Sequence, residues 1–462
     1  MRKSTLAGCF SMLILGVLIG VNSGNDRNPR TGSRTTNSLP AVRLAPSPPM
    51  GWNSWDCYGT SVREEEVKAN ADYMARYLMS FGWQYVVVDI QWYEPNAKAH
   101  GYRENADVVM DEYGRLLPAP NRFPSAAQGR GFKPLADYIH SKGLRFGIHI
   151  MRGIPRLAVK LRLPVLGTSA SAREIADTQS LCSWNTDMYG VDTSSRSGQA
   201  YYDSIAQLYA DWGVDFIKAD DMTEPYHATE IEALASAIQR VRRPMVLSLS
   251  PGPTDTARKE HVRNHAQLWR ISNDFWDRWP DLKAQFSLCR KWADSIGPDS
   301  WPDADMLPLG RIGIRAEQGE DRQSELTRDE QLTLLTLWTI CRSPLMFGGD
   351  LPSNNDFTLG LLTNREVLAV NQSSTRNREL FARGDQIAWT SDAPGTTAKY
   401  LAVFNLGDDE ASLEVNWSEL GMPEVCRLRD LWQGQDLGVI NNKQGWRLGP
   451  HASRLFKVSP AK

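Results

Sequence analysis

Residues 212–221 read Trp212-Gly-Val-Asp-Phe-Ile-Lys-Ala-Asp-Asp221. Ahead of them, Gly198–Trp212 has the amphipathic spacing of a helix, and Gly213 stands where that helix would stop. The run from Phe216 is too short for a helix and ends on charge at Asp220. The same unit recurs. Apolar runs at Met50–Trp55, Tyr85–Ile90, Phe146–Ile150, Phe216–Asp220, Met245–Ser250, Leu268–Asp274, Trp301–Leu307 and Leu345–Asp350 make eight. Amphipathic stretches lie between most of them. Arg63–Phe81 carries Val67, Ala71, Met74 and Leu78 on one face, and Leu135–Ser141 is stopped by Gly143. Alternating strand and helix predicts an α/β protein with a parallel sheet. Eight repeats predict a closed (β/α)8 TIM barrel over residues 48–375 rather than an open sheet.

From residue 376 the pattern changes. Gln386–Thr390, Lys399–Asn405, Ala411–Val415, Arg427–Leu431 and Arg454–Val458 are strand-like runs joined by Gly, Asp and Asn turns. They predict an antiparallel β-sandwich domain over 376–462. At the other end, Arg2 and Lys3 precede the apolar run Cys9–Val21, which fits a signal peptide over 1–23 and is short for a membrane span. Residues 24–47, rich in Asn, Arg, Ser, Thr and Pro, read as a flexible leader. The expectation is an exported chain, periplasmic or extracellular, with no stable membrane insertion. Residues 153–199 read as a long irregular stretch, and its Trp184, Tyr189 and Asp192 as an active-site rim.

Composition narrows the function. Lys+Arg 52 against Asp+Glu 54 leaves a net charge of −2, which offers no electrostatic case for nucleic acid. Sixteen Trp suit either sugar faces or a large core. Removing the signal segment leaves Cys57, Cys182, Cys289, Cys341 and Cys426, an odd number with no Cys-x-x-Cys pair, so no structural zinc site is expected. No Gly-rich phosphate loop follows the seventh or eighth run apart from Gly348-Gly349.

Seven runs end in a polar residue: Asp89, His149, Asp220, Ser250, Asp274, Asp305 and Asp350. Strand ends line the active site of such a barrel, although Asp and Ser also cap helices. Strand periodicity puts Lys218 and Asp220 on one face, where the cation would keep the carboxylate ionised, and leaves Asp221 as a helix cap. Arg270 and Asp274 share a parity. Phe275 and Trp276 beside Asp274 would raise its affinity for a proton, as a general acid requires. Two carboxyls across one pocket are the equipment for cleaving a glycosidic bond.

These elements sit in a familiar order. Pro48-Pro-Met-Gly-Trp-Asn-Ser-Trp55, Asn121-Arg-Phe-Pro-Ser125, Leu135-Ala-Asp-Tyr-Ile-His-Ser-Lys-Gly143, Trp212–Asp220, Trp269-Arg270, Trp301-Pro-Asp-Ala-Asp-Met-Leu307 and Ser343-Pro-Leu-Met-Phe-Gly-Gly-Asp350 resemble glycoside hydrolase family 27, the α-galactosidase and α-N-acetylgalactosaminidase group, from Pro48 to about residue 458. The resemblance implies a retaining reaction with Asp220 as nucleophile and Asp274 as acid/base. It implies that Trp55 walls the sugar pocket and that Asp89, Lys218, Arg270 and Asp305 bind hydroxyls or position the carboxylates. Met306 would line the floor. An oligo- or polysaccharide substrate is implied, and no metal or organic cofactor.

The chain departs from that pattern in places. Galactose binding uses two adjacent Asp residues that grip O4 and O6, whereas Val88-Asp-Ile-Gln-Trp92 puts Ile90 second, with Gln91 or Trp92 as potential compensation. His149 replaces a Tyr and is either a core histidine or a sugar contact. Met222 stands where a Cys is usual, leaving Cys182 an orphan, and Leu247-Ser-Leu-Ser-Pro-Gly-Pro253 lacks the expected Glu. Terminal α-galactosides head the expected substrates. The alternatives are α-1,6-glucans or β-L-arabinopyranosides, and, from another class, a non-catalytic carbohydrate-binding protein.

Overall fold

Eight parallel strands, Met50–Asn53, Tyr85–Val88, Arg145–Met151, Phe216–Asp220, Val246–Leu249, Leu268–Arg270, Trp301–Asp303 and Leu345–Phe347, follow one another around a (β/α)8 barrel. The computed structural model describes residues 43–461. The expected signal segment and most of the leader therefore lie outside the described residues. The first strand pairs with the second and the eighth. Closure between the seventh and eighth comes just past the seventh strand's end: the Leu307 amide donates to the Met346 carbonyl at 2.8 Å, and the Gly348 amide to the Leu307 carbonyl at 2.9 Å.

All eight expected strands form, several of them shorter than their apolar runs. The sixth stops at Arg270 and the seventh at Asp303, so Asp274 and Asp305 stand on the following loops. The helix Arg196–Trp212 starts on Ser195, whose hydroxyl accepts the Gly198 amide, and ends at Gly213 with φ 86°. That left-handed conformation suits glycine. Nine of the sixteen Trp are fully buried, so their number reflects the core more than sugar binding. Gly348 and Gly349 serve close packing: a Cβ on Gly348 would lie 1.9 Å from Asp56 Oδ2, and one on Gly349 2.2 Å from the Leu309 carbonyl oxygen.

Residues 153–199 are not irregular. Two short helices, Arg156–Leu161 and Ala172–Ile175, accompany a three-stranded antiparallel sheet of Ile154–Pro155, Met188–Val191 and Ala176–Leu181. Short elements of mixed polarity give no periodic signal, which is why this segment reads as loop.

The C-terminal region is antiparallel, with a six-stranded sheet facing a two-stranded one. Leu401, Val403, Leu413, Val415, Trp417, Leu428 and Phe456 fill the space between. Thr375–Arg383, Gln435–Asn441 and Lys443–Leu448 are strands that the pattern missed, because their residues are largely exposed and polar. This region rests on the barrel helix Arg328–Ile340. There Thr333 donates to the His451 carbonyl at 2.6 Å and Trp432 Nε1 to Thr336 at 2.9 Å. Among the described residues, no helix is long and apolar enough to cross a membrane.

Candidate active site

The C-terminal strand ends open into a pocket of about 560 Å³, lined among others by Trp55, Asp89, Ile90, Lys218, Asp220 and Asp274. Beneath it lies a second cavity of about 20 Å³, lined by Asn53, Ser248, Ser250, Arg270, Asp305 and Met306 among others. Arg270, Asp305 and Met306 thus belong to the layer under the pocket. The smaller cavity is the size of about one water molecule.

Asp220, at the end of the fourth strand, is held from two directions. Oδ2 bonds to His149 Nε2 at 2.9 Å, and Oδ1 accepts the Asp221 amide at 2.9 Å. His149 Nδ1 is buried without a partner, and Nε2 carries a proton that it donates to Asp220. Burial alone would push the Asp220 carboxyl up, but the bond and charge of His149 and the charge of Lys218 outweigh it and hold the group at about 2. Lys218 does not bond Asp220, as their shared face suggested. It reaches sideways to Asp89, with Nζ 2.9 Å from Oδ2, an oxygen that also accepts Asn53 Nδ2 at 2.7 Å. Burial pushes Asp89 up, yet Lys218, His149 and Asn53 keep it below the usual carboxylate range.

Arg270 organises the opposite side. Its guanidinium lies 2.9 Å from Asp305 Oδ2 and 3.2 Å from Asp274 Oδ1. Asp274 is half exposed, so Phe275 and Trp276 do not enclose it as expected. Both aromatics are buried, with Trp276 in the pocket wall. Asp305 is the more enclosed carboxyl. Burial pushes it up against the charge of Arg270. Trp55 stacks on Tyr102 at 5.7 Å, and Tyr102 meets Trp184 at 5.5 Å, forming one aromatic wall. Tyr189 and Asp192 do not line the pocket. Asp350 bonds to Tyr58 at 2.7 Å, away from the pocket.

Several groups escaped the sequence reading. Asp221 is no helix cap. With φ 59° it turns back to Arg152, whose Nη2 lies 2.7 Å from its Oδ2 and whose Nη1 lies 2.5 Å from Glu230. Burial raises the Asp221 carboxyl to about 6 despite Arg152. Because the Asp221 amide holds Asp220, this buried cluster fixes the pocket's central carboxylate. Tyr102, Glu224 and Glu317 also line the pocket. They stand on loops without a motif, and only their proximity reveals them. Burial and the charge of Asp274 push Glu317 up. The five described cysteines are buried and unpaired.

Gln91 and Trp92 do not compensate for Ile90. Gln91 Nε2 donates to Asp187 at 2.6 Å, and Trp92 Nε1 to the His149 carbonyl at 2.7 Å, both buried outside the pocket. Pro251 and Gly252 form the pocket's edge at the fifth strand. Among the described residues, three or more histidine, cysteine or carboxylate donors converge only at Glu232, His261 and His265, which are not pocket residues.

The family model described as "Alpha galactosidase A" matches residues 47–200 and 195–373, and that of the "Alpha galactosidase C-terminal beta sandwich domain" matches 383–458. The chain belongs to the α-galactosidase A family of glycoside hydrolases. It is 26% identical to "Alpha-galactosidase 2" of Arabidopsis thaliana over 91% of each chain, and 28% identical to "Alpha-galactosidase A" of Cellvibrio japonicus over 90% of this chain and 93% of that one. Among solved structures, the GH27 β-L-arabinopyranosidase of Geobacillus stearothermophilus is 55% identical, with a TM-score of 0.89 over 90% of this chain and 97% of that one. A protein described as a putative α-N-acetylgalactosaminidase of Bacillus halodurans is 50% identical, with a TM-score of 0.82 over 90% and 98%. The protein is thus a glycosyl hydrolase with a carbohydrate substrate.

Replacing Arg152 with Met would leave Asp221 and Glu230 buried without their cation. The expected loss is about 3–5 kcal/mol of unfolding free energy, the range for breaking a buried ion pair. Urea denaturation measures it, and a loss below about 1 kcal/mol would show that the cluster does not carry this end of the strand.

Proposed function

We propose that this enzyme hydrolyses terminal β-L-arabinopyranosides with retention of configuration. One observation carries the choice of sugar: of the residues that end the second strand, Ile90 alone joins Asp89 in the pocket. β-L-Arabinopyranose presents the same ring hydroxyls as α-D-galactopyranose but carries no exocyclic hydroxymethyl group. An alkyl side chain suits a ring carbon without that hydroxyl and leaves the galactose hydroxyl without its acceptor. The 54–55% identity to the Geobacillus β-L-arabinopyranosidase supports the same reading. Terminal α-galactosides are the second substrate class, favoured by the curated α-galactosidase relatives.

In the proposed reaction Asp274 gives its proton to the glycosidic oxygen while Asp220 attacks the anomeric carbon. The C–O bond to the leaving alcohol breaks, and a covalent glycosyl ester forms on Asp220. Asp274, now ionised, takes a proton from water. The water oxygen attacks the same carbon and releases Asp220. Two inversions give net retention. Asp220 suits the nucleophile because it stays ionised down to about pH 2. Arg270 holds Asp274 from beneath, and Lys218 and Asp89 present a charged pair to the sugar hydroxyls. Trp55 and Tyr102 offer a face to the sugar ring. We also propose export, on the apolar run Cys9–Val21.

On aryl glycosides, kcat/KM for the β-L-arabinopyranoside should exceed that for the α-D-galactopyranoside by about ten- to a hundredfold, equivalent to the ~1–3 kcal/mol lost when a buried polar group goes unpaired. Ile90→Asp should narrow the ratio. Equal rates on the two sugars, or a preference for galactose, would refute the assignment. The nucleophile's environment gives a second expectation. His149→Phe removes the strongest group holding Asp220 ionised, so its pKa rises. Activity that needs the carboxylate is lost as pH falls through that value, so the acid limb of kcat/KM should move to higher pH. An unmoved limb would mean that His149 does not act on the nucleophile.

A further inference from the structure

The helices Ala228–Arg240 and Lys259–His265 lie side by side after the fourth and fifth strands. The first carries Glu232. The second carries His261 and His265, one turn apart and so on one face. One donor atom from each of the three lies within 4.8 Å of the others. The two imidazole centroids are 4.3 Å apart, tilted by 30°. From this constellation we infer a Zn²⁺ site, distinct from the sugar pocket, made of Glu232, His261 and His265.

The hydrogen bonds behind the rings favour this over a plain surface ion pair. His265 Nδ1 lies 2.7 Å from the His261 carbonyl oxygen. A carbonyl only accepts, so Nδ1 carries the proton and Nε2 keeps its lone pair. His261 Nδ1 lies 2.5 Å from the Tyr226 hydroxyl, which can accept its proton. Nε2 lies 3.0 Å from Glu232 Oε1 and donates to it in the metal-free protein, so a bound zinc would take the place of that proton while Nδ1 turns donor to Tyr226. His265 thus has its rear nitrogen engaged and its front nitrogen open, and His261 already points its front nitrogen at the carboxylate that would share the ion, the arrangement that orients histidine ligands. Two imidazoles and one carboxylate suit Zn²⁺ among divalent ions, with water completing a tetrahedron. Bonds of that kind separate the donors by about 3.3 Å, so modest side-chain rotation converts the present cluster into a coordination shell. Glu232 is half exposed and His261 partly so, which leaves a path from solvent.

The site would also bear on the pocket. Tyr226 belongs to the turn closed by the Thr223–Tyr226 bridge, and Glu224 of that turn lines the sugar pocket. Arg258 lies over the Tyr226 ring, its guanidinium carbon 4.8 Å from the ring centre. A zinc ion that fixes His261 therefore braces, through Tyr226, the turn that presents Glu224.

Titration calorimetry of the metal-stripped full-length protein with Zn²⁺ tests this. One equivalent should bind, weakened about tenfold or more in His265→Gln and in Glu232→Gln. Zinc should also raise the melting temperature of the unsubstituted protein and leave that of either variant unchanged. Using two variants guards against one that folds poorly, and metal-free melting curves check each. Failure of the unsubstituted protein to bind a stoichiometric zinc would overturn the inference. So would variants that bind zinc as tightly as it does.

Discussion

Lys218 and Asp89 lie 2.9 Å apart at the mouth of the barrel, and both are removed from bulk water. A buried charge is tolerated only beside an opposite one, and this pair sets the pattern for its neighbours. Asp89 draws Lys218 sideways, which leaves Asp220 to His149. Arg270 serves Asp305 and Asp274 together. The carboxylates of Asp89, Asp220, Asp274 and Asp305 are thereby shared among fixed cations and N–H donors, and these groups face the pocket already oriented. A site built this way meets developing charge without reorganising, which is where such enzymes gain most of their rate.

The barrel is legible in the chain because parallel strands are buried on both faces and read as apolar runs. Each of the eight runs yields a strand, and the glycines at 143 and 213 end helices as their positions suggest. The partners within the site are less legible. Alternation along one strand predicts that Lys218 and Asp220 share a face, but the contacts that matter cross to neighbouring strands. Asp89 lies 129 residues from Lys218, and His149 lies 71 residues from Asp220. Arg152, Asp221 and Glu230 come from three separate segments. Asp274 reaches Arg270 although the strand has already ended, so its parity with Arg270 pointed to the right neighbour through a turn. The polar edge strands of the C-terminal sheets are hidden because exposure removes the apolar alternation that marks a strand.

The end of the second strand is held rigidly by its neighbours. Gln91 and Trp92 are committed to Asp187 and to the His149 carbonyl. Arg122 reinforces this corner by donating to the carbonyls of Thr60, Val62, Gln91 and Glu94. With the backbone anchored, the side chains at 89 and 90 set what the pocket offers there, and Asp89 is committed to Lys218 and Asn53. Ile90 is aliphatic, beside the charged groups around Asp220. In the proposed reading the reaction rests on the paired charges and the choice of sugar on this apolar side chain.

Asp220, held ionised between His149 and the Asp221 amide, is the proposed nucleophile that bonds the anomeric carbon in the covalent intermediate. Inactivation with 2-deoxy-2-fluoro-β-L-arabinopyranosyl fluoride, followed by peptide mass mapping, addresses it directly. One fluoroarabinosyl group is expected on the peptide carrying Asp220, attached to that carboxylate. Label on Asp274 or Asp89, or no covalent adduct, would contradict it.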